Sequence, residues 1–353
     1  MRRLVLNLHL AIALLAGAFI VVLGATGSIL AFEPQLDRLL HRDVSYVKPG
    51  VRVLSLVEIG DAVARKYPGE PVVAYLRSDD ADLPNRVILS RGIVCVNQYT
   101  GEILGVRTRG LTFLGIIRAL HVRLAAGEAG RLVLKWAAGG LLFLLISGLY
   151  LWWPAKRMRI RGSMGSPKFW FDLHSAVGIF SFLPLLALAA SGTILAFEDQ
   201  LASVLGKPPD SHSVRVKPPQ VRSDPRPNAT EITPDEAVAI ARRELPDALP
   251  YRVQMPGYGG LYVIALEYMD HRIAGDRNSV SIDPWSGRIV AAELAAGLGF
   301  QQRFMTANQA IHTGSILGTA SRIAAALTGL LVPVQAVSGV SLWLRRRRTW
   351  QPT

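Results

Sequence analysis

The chain has 353 residues, 50% of them hydrophobic, with a formal net charge of +13 and one cysteine, Cys95. A lone cysteine excludes an internal disulfide, a CxxC redox pair and a thiolate zinc site. The positive charge lies beside apolar runs, in Arg2 and Arg3, in Lys156, Arg157, Arg159, Arg161 and Lys168, and in Arg345 to Arg348. It therefore reads as membrane topology and argues against nucleic acid as a partner.

Residues 4–32 form the first of four long uncharged runs, each near the roughly 20 residues that cross a bilayer core as a helix. The run is far longer than the h-region of a signal peptide, about 7–15 residues, so residues 1–32 read as a retained membrane helix. Residues 33–130 follow as an outer module. A helix-like stretch at 56–64 precedes alternating runs at 72–76 and 86–96, a turn at Asn97 to Glu102, and an amphipathic helix before the next span. The second membrane helix is assigned to 131–155, with its apolar run at 136–155, and a basic loop to 156–172. The third is assigned to 173–198.

A second outer module spans 199–315. Its stretch 207–228, rich in proline and polar residues, reads as an extended linker. Thr233 with Glu236 three residues later forms a capping box opening a helix that runs to about Glu244. Strands are expected near 251–255, 261–268 and 279–283, with a turn from Asp283 to Arg288. The last membrane helix is assigned to 316–344, with its apolar run at 323–344, and a short tail to 345–353. The basic clusters put both termini and the 156–172 loop in the cytoplasm and the two modules outside. Trp152, Trp153, Trp170 and Trp343 suit the inner interfacial belt.

The chain repeats itself. An offset of 165 carries Gly27-Ser28-Ile29-Leu30-Ala31-Phe32-Glu33 onto Gly192-Thr193-Ile194-Leu195-Ala196-Phe197-Glu198, and His9 onto His174. An offset of 191 carries His121 onto His312, Gly127 onto Gly318, Arg131 onto Arg322, Ser147-Gly148 onto Ser338-Gly339, and Leu151-Trp152 onto Leu342-Trp343. Both copies start inside, so the expected fold class is a membrane protein of four transmembrane α-helices built as a tandem parallel duplication. Two small α+β extracytoplasmic modules accompany the helices.

Four of the seven histidines are thus matched in pairs, whereas His41, His212 and His271 have no mates. Ionisable side chains in apolar segments mark function. Topology places His9 and His174 near the inner face and His121 and His312 near the outer face. Two facing imidazoles are what a six-coordinate haem requires, so two bis-histidine haems b are expected, one for each pair. Gly17, Gly24, Gly27, Gly139, Gly140 and Gly148 either admit a porphyrin edge or serve close helix packing. Arg131 and Arg322 either pair with propionates or anchor the helix ends. Met255, Met269 and Met305 lack ligand-like spacing, and no GxGxxG after a strand, Walker motif or HExxH is present.

Leu120-His121 with Gly127 and Gly130, the run Ser147-Gly148-Leu149-Tyr150-Leu151-Trp152-Trp153-Pro154, and the turns Thr100-Gly101-Glu102 and Ser286-Gly287-Arg288 resemble the PepSY-associated transmembrane family, which includes FoxB- and PiuB-type proteins of bacterial iron uptake. The likeness covers nearly the whole chain, although Ser338 to Leu344 lacks the second tryptophan and the proline. It implies PepSY-like outer modules and a haem protein of the bacterial inner membrane that passes electrons to a periplasmic ferric siderophore. The expected donor is a cytoplasmic flavin or NAD(P)H reductant, or quinol. Two alternatives are a non-redox regulator whose modules hold a peptide or protease, and a siderophore or metal permease.

Overall fold

The structure is a computed structural model that describes the chain except for residues 79, 91, 109–111, 155, 157, 206–222, 224–229, 258–259, 269–276, 295–296, 298 and 349–353. The expected linker at 207–228, apart from Ser223, and also His212 and His271, lie outside the described residues. In chain order the first elements are α1 (Arg2–Leu30), α2 (Glu33–Leu40), α3 (Arg42–Ser45), α4 (Leu56–Lys66), β1 (Ala74–Leu76), β2 (Asn85–Ile88), β3 (Gly92–Val96) and β4 (Ile103–Thr108). The central helices are α5 (Phe113–Arg123), α6 (Gly127–Trp152), α7 (Pro167–Ala196), α8 (Glu198–Leu205) and α9 (Pro234–Glu244). The last are β5 (Ala248–Gln254), β6 (Tyr262–Tyr268), β7 (Arg277–Ile282), β8 (Ile289–Glu293), α10 (Phe300–His312) and α11 (Gly318–Arg348). They divide into a helical unit (1–33, 111–206 and 307–353) and a sheet unit (34–110 and 207–306).

In the helical unit, α1, α6, α7 and α11 are long and apolar enough to cross a membrane, and the chain is a membrane protein. Helix α7 starts at Pro167, so the loop expected at 156–172 is shorter. The Ser166 hydroxyl accepts the Phe169 N–H at 3.2 Å, and a proline at the first helical position loses no hydrogen bond. Similarly, α6 begins at Gly127 and not near 131, and α11 runs on to Arg348 through most of the expected tail. Helix α5, expected as part of the first outer module, belongs to the helical unit.

The four long helices form a ring in which α1 and α7 each pack against both α6 and α11. Ile20, Ala137, Leu185 and Val332, one from each helix, make a buried apolar layer at its centre. Small residues let α1 and α11 approach closely. A Cβ on Gly24 would lie 2.7 Å from the Gly329 carbonyl oxygen, and the Ser28 hydroxyl sits 2.8 Å from both the Gly24 and Ala326 carbonyls. Gly24 is therefore a packing residue.

In the sheet unit, the eight strands among the described residues form one antiparallel sheet in the order β4-β3-β2-β1-β5-β6-β7-β8. The strands expected in the two outer modules thus lie together in one sheet. β1 pairs directly with β5, Tyr75 opposite Val253, so the strands of both halves share a single sheet. The run expected as one strand at 86–96 is a hairpin of β2 and β3. One row across the sheet, Val94, Val87, Tyr75, Val253, Ile264 and Val280, is buried and shares a core with Leu56, Ile59 and Val63 of α4 and Ala237, Val238 and Ala241 of α9. Each fully buried aliphatic side chain contributes about 1.5–3 kcal/mol by removal from water.

Both helices over that sheet open with capping boxes, Ser55 with Glu58 and Thr233 with Glu236. The Asp235 carboxylate also accepts the Leu56 and Val57 N–H groups at 2.9 and 3.0 Å, so the first turn of α9 caps α4. Two matching turns close the hairpins β3–β4 and β7–β8. In each, a side-chain oxygen of the first residue, Asn97 or Asp283, accepts the N–H two residues on. A glycine with positive φ, Gly101 at +75° or Gly287 at +66°, completes each turn. Burial pushes the Asp283 carboxyl up. Hydrogen bonds from Ser223, Ser286 and the Trp285 N–H more than offset this and hold it down at about 2.

Candidate functional site

His9 on α1 and His174 on α7 meet across the ring with imidazole centres 6.5 Å apart and planes at 87°. His121 on α5 and His312 on α10 meet with centres 6.0 Å apart and planes at 40°. The unmatched His41 sits instead in the sheet unit beside Asp37 and Arg107.

Every one of the four paired rings is held at Nδ1. His9 Nδ1 lies 2.8 Å from Ser147 Oγ, and His121 Nδ1 2.9 Å from Thr26 Oγ1. His174 Nδ1 lies 3.0 Å from Ser338 Oγ and 3.2 Å from the Gln335 carbonyl oxygen. His312 Nδ1 lies 3.1 Å from the Leu188 carbonyl oxygen and 3.4 Å from Ser191 Oγ. A carbonyl only accepts, so Nδ1 of His174 and His312 carries the proton and donates. Ser147 and Thr26 donate their own hydroxyl protons down their helices, to Phe143 O at 2.6 Å and Val22 O at 2.5 Å. Each hydroxyl is thus left to accept from the imidazole. The tautomer this fixes leaves the Nε2 lone pair of all four rings available to a metal.

The hydroxyls obey the same offsets as the histidines: 147 and 338 differ by 191, and 26 and 191 by 165. Ser147 and Ser338 appear in the repeat by residue type alone. Thr26 and Ser191 escape notice there, because a Thr-to-Ser match adjoining a stronger identity run carries no meaning until the imidazole is beside it.

Glycines back the rings. A Cβ on Gly148 would lie 3.6 Å from His9 Cε1, on Gly339 3.3 Å from His174 Cε1, on Gly27 3.0 Å from His121 Cε1, and on Gly192 2.7 Å from His312 Cε1. Gly27 and Gly192 therefore make room for histidine rings, whereas Gly148 only borders one at ordinary contact. Gly140 packs against Ile12 and Ala16, and nothing lies within 4 Å of a Cβ built on Gly17 or Gly139. Gly17 borders a cavity of about 950 Å³ between the four long helices, lined also by His9 and His174. That volume lies in the range of cofactor pockets, about 300–1,000 Å³.

Arg131 is engaged by carboxylates: it hydrogen-bonds Asp199 and lies 3.8 Å from Glu128. Arg322 stands half-buried in the first turns of α11 and has an interaction partner of its own. Arg118 hydrogen-bonds Glu33 just past the end of α1, which gives that acid a structural role.

Among the described residues, no three His, Cys, Asp or Glu side chains gather to hold a bare metal ion. Isolated imidazole pairs suit a metal whose other ligands come from a macrocycle. Two imidazole nitrogens about 2 Å either side of one metal place their ring centres roughly 6 Å apart. Both pairs have that spacing. The residues fit a haem by ligand type, tautomer and spacing and, at His9 and His174, by the adjoining cavity.

Fold and site together define a polytopic membrane protein with two histidine pairs set at two levels of a helical unit. A family model described as the PepSY-associated TM region matches residues 6–346, and the chain belongs to that family. Comparison with curated proteins gave no match.

Proposed function

We propose that the chain is a haem-containing electron-transfer protein of the bacterial inner membrane that reduces a periplasmic ferric chelate, a ferric-siderophore reductase of the FoxB and PiuB type. On this reading it arose by tandem duplication, and the sheet unit consists of two fused PepSY-like modules on the periplasmic side. The observation that carries the proposal is the shared geometry of the two pairs: ring centres 6.5 and 6.0 Å apart, with all four Nδ1 atoms engaged and all four Nε2 atoms free to ligate.

His9 and His174 would hold the inner haem, and His121 and His312 the outer. Bound there, haem supplies one-electron chemistry without proton transfer. The histidines fix its orientation, the hydroxyls fix their tautomers, and the apolar layer of Ile20, Ala137, Leu185 and Val332 keeps water from the level between. Along α1 the two levels, His9 and Thr26, stand roughly 25 Å apart at 1.5 Å per residue, much of a bilayer core. Electrons enter from quinol or from a cytoplasmic flavin or NAD(P)H reductant and leave for Fe(III) outside. Fe(II) is held less tightly by hard-oxygen chelators, so reduction frees the iron. The basic residues Arg2, Arg3 and Arg345 flank the ends of α1 and α11, which supports cytoplasmic termini.

The test is the visible spectrum of the purified protein with a haem-to-protein ratio. The proposal expects a low-spin b-type spectrum with two haems per chain, falling to one in His121→Ala and in His9→Ala. A colourless protein, or full haem content in both variants, would overturn it.

A further inference from the structure

At the basic end of the helical unit, α1 and α6 frame an open groove of about 470 Å³. Ile146, Leu149, Tyr150, Trp153 and Pro154 form its walls, and among the described residues Arg2 is the charged side chain that lines it. Ile146, Tyr150 and Trp153 are exposed, at the end of a helix long and apolar enough to cross a membrane, so bilayer lipid is what meets them.

Two cations are fixed at this groove. Arg2 Nη2 donates to the Leu151 carbonyl oxygen at 3.0 Å. That carbonyl lies in the last turn of α6, where the final carbonyls lack intrahelical partners. A guanidinium carries several N–H donors, and this bond leaves the others for a ligand. Lys156 has a φ of +43°, a left-handed backbone that costs a lysine free energy. Its N–H closes the end of α6 on the Trp152 carbonyl oxygen at 3.0 Å, and its ammonium lies 4.7 Å from the centre of the Trp153 ring. Among the described residues no carboxylate pairs with either cation.

The repeat supplies a contrast. An offset of 191 carries Tyr150, Trp153 and Pro154 onto Ser341, Leu344 and Arg345, and an offset of 165 carries Arg2 onto Pro167. Arg345 is engaged by the Gly165 carbonyl oxygen at 2.7 Å. The matching positions lack the tyrosine, the tryptophan and the arginine near the chain start, so helix packing by itself does not demand them.

We propose that this groove binds an anionic phospholipid, with an acyl chain against Ile146, Leu149 and Trp153 and the phosphate on Arg2, while Lys156 adds charge at the Trp153 rim. Basic pockets between membrane helices recognise such headgroups, and a guanidinium suits phosphate through paired hydrogen bonds. A neutral headgroup gains little from two cations, and the amine of a zwitterionic one is repelled by them. The site stands independently of the haem reading.

The test is native mass spectrometry of the full-length protein, delipidated in neutral detergent and titrated with dioleoyl phosphatidylglycerol or dioleoyl phosphatidylcholine. Wild type is expected to bind phosphatidylglycerol at least about five-fold more tightly, the factor one basic side chain gives at a membrane surface. Arg2→Gln, which keeps an N–H for the Leu151 carbonyl, and Lys156→Gln should each remove about that factor. Arg3→Gln makes the same charge change beside the groove but off its lining, and should leave the preference intact. Ile146→Trp fills the apolar wall without altering charge and should abolish the retained lipid. Equal affinity for the two lipids overturns the proposal. So does a loss in Arg3→Gln as large as in Arg2→Gln, or displacement of the bound lipid by a neutral short-chain quinone.

Discussion

An imidazole inside an apolar helix has lost its water, and what replaces that water decides what the ring does. His9 relies on a single hydroxyl, Ser147, whereas His174 has both Ser338 and a backbone carbonyl. On the haem reading proposed above, Ser147→Ala should therefore weaken haem binding about 10–100-fold, the usual cost of losing an outer-shell partner, and Ser338→Ala by less. Haem titration of the apoprotein measures the difference. The backing glycines give a second contrast. Ala in place of Gly192 would press on His312 from 2.7 Å, while Ala in place of Gly148 would meet His9 at 3.6 Å, an ordinary contact. If the pairs hold haem as proposed, Gly192→Ala should lose the one at His121 and His312 and Gly148→Ala should keep the one at His9 and His174, read as haem per chain. The histidines and their offsets are legible in the sequence because an identity at a fixed spacing survives without structure. The purpose of the glycines is not, since a small residue in a membrane helix serves packing and ring clearance alike, and only contacts separate Gly24 from Gly27.

Helix limits obey hydrogen bonds, and hydropathy reports only the apolar middle. That is why α7 begins well before its uncharged run: Lys168 and Asp172 break the hydropathy, but Ser166 and Pro167 start the helix regardless. The capping box at Thr233 is legible because its four-residue signature needs no tertiary partner. Ser55 with Glu58 carries the same signature and opens α4 in the same way. Thr233→Ala should cost about 1 kcal/mol of stability. Asp235→Ala should cost more than an exposed substitution elsewhere in α9, because two N–H groups of α4 lose their acceptor. Chemical denaturation of the full chain, followed by tryptophan fluorescence, ranks them. The turn at Asp283 adds a pH dependence. Its carboxyl is held at about 2, below the ordinary value, so its contribution is complete above the unfolded value of about 4 and is lost as pH falls through about 2. In Asp283→Asn the acid limb of a stability–pH profile should flatten between those values. An unchanged profile would show that the turn does not depend on the charge.

At the scale of the whole molecule, the sequence shows two outer segments of the same outline, read as two small modules. What periodicity cannot show is which strand edge meets which. The register of β1 with β5 is set by side chains far apart in the chain, Ala74 opposite Gln254 and Leu76 opposite Arg252. A chain cut after residue 205 should consequently expose β1 as an open edge and self-associate in detergent, where the full chain remains dispersed; size-exclusion chromatography distinguishes them.

That seam also imposes an order on biogenesis. β1 leaves the ribosome early, yet its second neighbour is not made until the chain reaches Ala248. Throughout the synthesis and insertion of α6 and α7, one border of the nascent sheet stays unsatisfied and adhesive. The cell must shield that border for the whole interval. Maturation of this protein is therefore more exposed to interruption midway through translation than two independent modules would be.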